Sequence, residues 1–328
     1  MNYYRKSKKS RTYWQFFLIL IVYACCVFKI WNTQQEEHDF FANNLFYFLY
    51  TKLFVYKLIT SILLLINTFS IVWFSQRFSF LEIRNYLPAL LYLIFCFIFA
   101  NMLTLWGMVT GIFILRGLLP ILFSMNEENI LPRTFMYGLY CGILSLICTP
   151  FLLLLLFMYV VIFRERLYSI RAFILPIIGA CIAYGYVFAG FYLLDQTDKT
   201  QDFFDMIRMQ INGIQFFTFI EWKPIVIFFG AVSVLLGCIS FFHILWKLQS
   251  IVINKRRKHI ILLIILLLQL IFMLFFHPQY YHLLNQIMII LLTIAISLSM
   301  SYAKKKILYN IIFFVLFISA VVSFLINL

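Results

Sequence analysis

The chain is 328 residues long, 64% of them hydrophobic and 12% charged, with a mean hydropathy of +0.98. An average soluble domain is about 25% charged, so this composition excludes a water-exposed fold. Lys and Arg number 26 against 12 Asp and Glu, a formal net charge of +14, and these charges cluster where long apolar runs stop.

A bilayer-crossing helix needs about 20 mostly apolar residues, and the chain resolves into about eleven such runs. They predict an all-α, polytopic transmembrane helical bundle forming a single integral membrane domain over 1–328. Residues 1–13 form a basic tail with Arg5, Lys6, Lys8, Lys9 and Arg11. The apolar run after it is too long for a signal peptide and no small-residue cleavage site follows, so the first span, Trp14–Trp31, is expected to be retained. Residues 32–52 make a first outer loop with Gln34-Gln35-Glu36-Glu37-His38-Asp39 and the aromatic stretches Phe40-Phe41 and Phe46-Tyr47-Phe48.

Further spans are predicted at Leu53–Phe74, Tyr86–Leu105 and Gly107–Met125. Next comes a pair, Phe135–Thr149 and Phe151–Phe163, broken at Cys148-Thr149-Pro150. One continuous helix there would put Arg133 and Arg164 on opposite sides. The span Ala172–Leu194 leads to a second outer loop, 195–223, where Phe203, Phe204, Ile207, Ile211 and Ile214 recur at helical spacing among Asp202, Asp205, Arg208 and Gln210. That pattern predicts an amphipathic helix flat on the outer leaflet. The remaining spans are Pro224–Trp246, Ile260–Phe276, Leu283–Ala303 and Ile307–Asn327, with a tight His277-Pro278-Gln279-Tyr280-Tyr281-His282 turn before the tenth.

Cytoplasmic loops carry the excess of Lys and Arg. With the amino terminus inside, 19 of the 26 basic residues face the cytoplasm. Glu36, Glu37, Asp39, Asp195, Asp198, Asp202, Asp205 and Glu221 then lie outside. This predicts an inner-membrane protein with a periplasmic carboxyl terminus. Lys255-Arg256-Arg257-Lys258, which alone would pass as a basic patch, reads as part of the topology signal, and no nucleic-acid partner is expected.

The seven cysteines lie inside apolar runs without metal-ligand spacing, the five histidines form no HExxH-like motif, and no metal site is predicted. Phosphate-binding glycine loops, a GxSxG elbow and kinase signatures are missing, so any energy source is a membrane-borne donor or a partner. The charge deepest in a span is Arg116, expected to face the bundle interior or to snorkel to a rim. Gly138 and Gly142 make a small-xxx-small face for close helix packing, expected within the chain.

Three short stretches carry a resemblance. Arg84-Asn85-Tyr86-Leu87-Pro88-Ala89-Leu90-Leu91-Tyr92, Tyr137-Gly138-Leu139-Tyr140-Cys141-Gly142-Ile143 leading to Thr149-Pro150, and Ser169-Ile170-Arg171-Ala172-Phe173-Ile174-Leu175-Pro176-Ile177-Ile178-Gly179 resemble a family of multi-pass inner-membrane proteins from Bacteroidota. The resemblance implies topology and no particular activity. The wider succession is similar to the C-type (GT-C) glycosyltransferases: an acidic first outer loop, a span with a leading proline, a G-x3-G span running into Thr-Pro, and a late outer amphipathic loop. Carried over by position, that similarity implies Glu36, Glu37 or Asp39 as the acid serving the acceptor or a divalent cation, and a sugar donated from polyprenyl phosphate. The chain departs from the pattern in having no paired-acid motif, with Glu-Glu-His-Asp in its place.

From the residues themselves, those acids could take a proton from an acceptor hydroxyl or hold a divalent cation. Arg208, Lys199 or Lys223 could neutralise a lipid phosphate, and His277, Tyr280 and His282 could position a sugar or pyrophosphate. Two other readings stay open. One is a non-catalytic subunit of an envelope secretion or export complex, bound to other membrane proteins. The other is a small-solute transporter lined by Asn101, Thr104, Arg116, Gln269, Asn285 and Gln286.

Overall fold

A computed structural model describes residues 2–32, 53–81, 85–99, 104–166, 168–195, 200–201, 203–205, 207–208, 224–250, 253–275, 281–302, 314 and 316. Among them are eleven α-helices and no strand: α1 (Asn2–Asn32), α2 (Leu53–Arg77), α3 (Leu87–Ile98), α4 (Leu105–Ile112), α5 (Leu119–Phe123), α6 (Ile130–Ile147), α7 (Leu155–Arg164), α8 (Ile170–Leu193), α9 (Pro224–Lys247), α10 (Ile253–Phe275) and α11 (Tyr281–Tyr302). A π-helical turn, Phe113–Leu118, fuses α4 to α5. Six segments are long and apolar enough to cross a membrane: Trp14–Trp31, Phe54–Arg77, Leu105–Phe123, Ile130–Ile147, Ile170–Leu193 and Leu284–Tyr302. The protein is therefore a multi-pass membrane protein by helix composition.

Side-chain contacts fix how the helices run. In α1, Cys26 and Lys29 donate to the carbonyls of Leu93 and Phe97, so α1 and α3 are parallel. The Tyr23 hydroxyl reaches Ser61 O and the Lys57 ammonium reaches Trp31 O, so α2 returns antiparallel. Helix α2 runs beside the α4–α5 rod in the same direction: the Tyr56 hydroxyl accepts from Leu105 N, Asn67 donates to Met108 O, and Phe74 meets Phe123. Arg133 on Ser124 turns α6 back against α5. Gln269 on Leu284 O and His259 on Tyr302 make α10 and α11 antiparallel, and Gly237 beside Leu292 with His243 on Ser299 makes α9 and α11 parallel.

Helices α6 and α8 run parallel with their backbones in contact. A Cβ on Gly138 would collide with the Pro176 carbonyl, one on Gly142 would meet Ala183 Cβ at 2.7 Å, and one on Gly179 would strike Phe135 O. Small residues allow this approach, as the G-x3-G spacing predicts. Because α6 and α8 are parallel, the chain between them must cross back. Helix α6 ends at Ile147, Cys148 is extended at φ −153°, ψ 112°, and Pro150 opens a 3₁₀ helix, Thr149–Leu154, that leads into α7. The Tyr137 hydroxyl donates to Leu154 O at 2.9 Å and the Tyr159 hydroxyl to Phe173 O at 3.1 Å, which pins this return leg to both neighbours. At about 2.0 Å rise per 3₁₀ residue and 1.5 Å per α residue, its 16 residues span about the same 27 Å as the 18 residues of α6. The break at Pro150 thus makes a hairpin with Arg133 and Arg164 on one side.

The span expected at Tyr86–Leu105 is shorter in the structure. Helix α3 has 12 residues, with the Leu87 amide held by the Asn85 side chain, and it stops at Phe99. By Thr104 the chain is already extended, and the Thr104 hydroxyl caps α4 by accepting from Gly107 N at 3.1 Å. At about 18 Å, α3 is too short to face lipid along its whole length. Every residue from Pro88 to Ile98 is instead buried by other helices, the setting in which backbone can end at membrane depth. The last expected span, Ile307–Asn327, lies outside the described residues apart from Phe314 and Leu316.

Candidate functional site

The alternating helices divide the connections between two ends of the bundle. Segments 33–52, 99–104, 148–149, 194–223 and 276–280 join helices at the Trp31 end. Segments 78–86, 124–129, 165–169 and 248–252 join them at the Arg77 end. The expected outer loops and expected inner loops thus separate onto opposite ends.

Of the candidate residues, Arg208 and His282 are described. Glu36, Glu37, Asp39, His277 and Tyr280 lie outside the described residues. His282 occupies the first turn of α11, at the Trp31 end. Arg208 is exposed on a short helical stretch that follows the turn at Asp195, where φ is +52°. That stretch is anchored to the bundle: Phe203 is buried against Tyr184, Phe188 and Phe191, and Phe204 stacks on Phe188 at 5.1 Å. The start of the amphipathic loop therefore folds back along α8. Lys57 caps α1 at 2.6 Å, and Lys29 is buried over the Phe97 ring.

The polar residues suggested for a transport path do not join one another among the described residues. Gln286 is buried and bonded to the Tyr92 hydroxyl, which also approaches Met108 Sδ at 3.9 Å. Gln269 is buried and turned to the Leu284 carbonyl at 3.1 Å. Thr104 is used as a cap, and Asn101 lies outside the described residues. These groups knit helices together, the usual work of polar side chains in a bundle. A small cleft of about 10 Å³ between α5, α6, α7, α10 and α11 is apolar, lined by residues such as Leu118, Tyr137, Phe157 and Leu291.

The Arg77 end is tied shut by cations. Arg257 pairs with Glu165, whose side chain is 7% exposed, and donates to Met125 O at 3.4 Å. Lys258 donates to Phe78 O at 3.4 Å, and His259 is bonded to Lys255 O and the Tyr302 hydroxyl. Arg116, two turns before the Phe123 end of the α4–α5 rod, is exposed. Its Nε donates to Ser70 Oγ at 3.0 Å and its guanidinium lies 4.3 Å from the Trp73 ring centre. Arg116 thus faces out of the bundle rather than into its interior. Its partners on α2 could not be read from the sequence, because nothing local pairs residue 116 with residues 70 and 73. No group of three or more His, Cys, Asp or Glu is gathered for a metal among the described residues.

Compared with known proteins, the chain matches no family model, no curated protein and no solved structure at a significant level. Its class, a multi-pass helical membrane protein, rests on the helices themselves.

Proposed function

We propose that this is an inner-membrane protein, amino terminus cytoplasmic, whose Trp31 end works at the outer leaflet on a lipid-linked sugar phosphate, with a C-type glycosyltransferase-like scaffold. One observation carries the reading: the helices joined through segments 33–52, 194–223 and 276–280, in or next to which every candidate residue falls in sequence, have the ends so joined on the same side of the bundle. Asp39, Glu37 or Glu36 would take the proton from an acceptor hydroxyl as its oxygen bonds to the sugar's anomeric carbon. The bond from that carbon to the polyprenyl phosphate oxygen breaks, and Arg208 would neutralise the departing phosphate. His277, Tyr280 and His282 would orient the sugar. The same acids are the residues that could hold a divalent cation. The orientation follows from the Lys and Arg of the Arg77 end.

Two measurements test this. Cysteines at positions 39 and 201 should label from outside and one at 305 should not; the reverse pattern overturns the orientation. Protein extracted in mild detergent should carry polyprenyl phosphate by mass spectrometry, with density beside Asp39 and Arg208 in a cryo-EM map, and Arg208→Gln should lose the lipid. A dry, closed Trp31 end without prenyl lipid refutes the enzyme.

A second reading, a non-catalytic subunit of an envelope complex, is favoured by the outward side of α8. Among the described residues nothing lies within 4 Å of where a Cβ on Gly185 or Gly190 would stand, and Tyr186 and Tyr192 are each 74% exposed.

A further inference from the structure

At the Arg77 end, two helices that are far apart in sequence bring two arginines to one indole. Arg116, from the π-helical turn of the α4–α5 rod, stands 4.3 Å from the Trp73 ring centre, and Arg77, one turn beyond Trp73 on α2, stands 4.9 Å from it. Both arginines are exposed and Trp73 is half-buried. Among the described residues neither guanidinium meets a carboxylate. Arg116 is held by the buried Ser70 hydroxyl alone, which uses one of its five N–H donors.

Depth decides what these donors face. Helix α2 ends at Arg77, so Trp73 lies about 6 Å in from the helix end at 1.5 Å per residue. In a span that ends at Arg77, that depth corresponds to the edge of the interfacial layer, where indoles settle and arginine side chains reach for headgroups. Two like charges sharing one ring repel each other, the more so at the low dielectric of a membrane edge. An anion between them would relieve the repulsion and fill the free forks, and phosphate matches the guanidinium fork in shape. The π turn, a local widening often found at functional positions, belongs to the stretch that carries Arg116.

We propose that Arg77, Trp73, Arg116 and Ser70 form a binding site for the phosphate of an anionic phospholipid, with the acyl chains lying along the exposed apolar surface of α2, where Phe69, Ile66 and Leu65 are turned outward. The site is at the opposite end of the bundle from the candidate sugar-phosphate residues and does not depend on them.

The test uses the full chain in detergent, titrated with phosphatidylglycerol or phosphatidylcholine and followed by native mass spectrometry, with inorganic phosphate as competitor. Phosphatidylglycerol should bind in preference to phosphatidylcholine. The double variant Arg77→Gln/Arg116→Gln should weaken that binding on the order of tenfold, Arg116→Lys should weaken it less, and millimolar phosphate should not compete. Equal binding of the two lipids, unchanged binding in the double variant, or displacement by inorganic phosphate would each overturn the proposal. Should the double variant fail to fold, Arg77→Gln alone serves, because that side chain is exposed and makes no hydrogen bond among the described residues; undiminished preference for phosphatidylglycerol in it counts against the site.

Discussion

Helices α8 and α11 are nearly equal in hydropathy, 2.0 and 1.8, yet 28% of α8's window is buried and 83% of α11's. Apolarity does not decide which helix becomes the centre of a membrane bundle, because lipid tails are as apolar as leucine and no hydrophobic force sorts the two. Polar and small side chains make the difference. Helix α11 carries Gln286, Thr293, Ser297 and Ser299, all buried. It touches α3 through the Gln286–Tyr92 bond and α9 through Ser299 and His243. Helix α8 offers Gly179, Ala180 and Ala183 along one seam, and that seam is filled by α6. Elsewhere on it Ile174, Ile177, Ile178, Tyr186 and Tyr192 stay outside.

The sharpest way to break this contrast is to close the α6–α8 seam. Gly138→Ala puts a methyl group into the Pro176 carbonyl, backbone that cannot rotate away. We expect a loss of about 3 kcal/mol, the upper end for overpacking, read as a collapse of the thermal melt in detergent; a melt like that of the parent would mean the seam is looser than drawn. Removing the central polar tie costs less. Gln286→Leu removes the amide that donates to the buried Tyr92 hydroxyl, and interhelical bonds of this kind are worth about 1 kcal/mol, so an equilibrium unfolding assay in mixed micelles should show that decrement. A smaller effect is expected at the Arg77 end. Arg257 is 44% exposed, and Arg257→Gln should lower stability by about 0.5 kcal/mol after solvent screening, with the difference shrinking in high salt.

Much of the fold was legible in the sequence because its signals are one-dimensional. Run length marked the spans, Pro150 between Arg133 and Arg164 marked the hairpin, and Gly138 with Gly142 marked the close crossing. The charge at loop boundaries sorted the connections onto two ends, and the register of side-chain contacts separates them the same way. What escaped depends on tertiary neighbours. The early end of α3 is set by burial on every side of a 12-residue helix. The 3₁₀ stretch Thr149–Leu154 lengthens a return leg that looks too short by residue count. The meeting of Arg116 with Ser70 and Trp73 is decided by the parallel register of two separate helices. Of the candidate site, Arg208 and His282 fall on described helical residues, while Glu36, Glu37, Asp39, His277 and Tyr280 lie outside the described part of the chain.

The smallest expected effect is also the one that separates a lipid-facing surface from an interface. Leucine at Gly185 or Gly190 meets open space on α8, and glycine is about 1 kcal/mol worse than alanine inside a helix. Both substitutions should leave the stability of the isolated protein unchanged or slightly raised, in contrast to Gly138→Ala on the neighbouring helix. If another membrane chain packs on that side of α8, the same bulky residues will prevent its backbone approach. Cross-linking in the native membrane should then lose a partner while the melt stays intact. Were both the melt and the cross-linked species to match the parent, the outward side of α8 faces only lipid, and the subunit reading loses the observation that favours it.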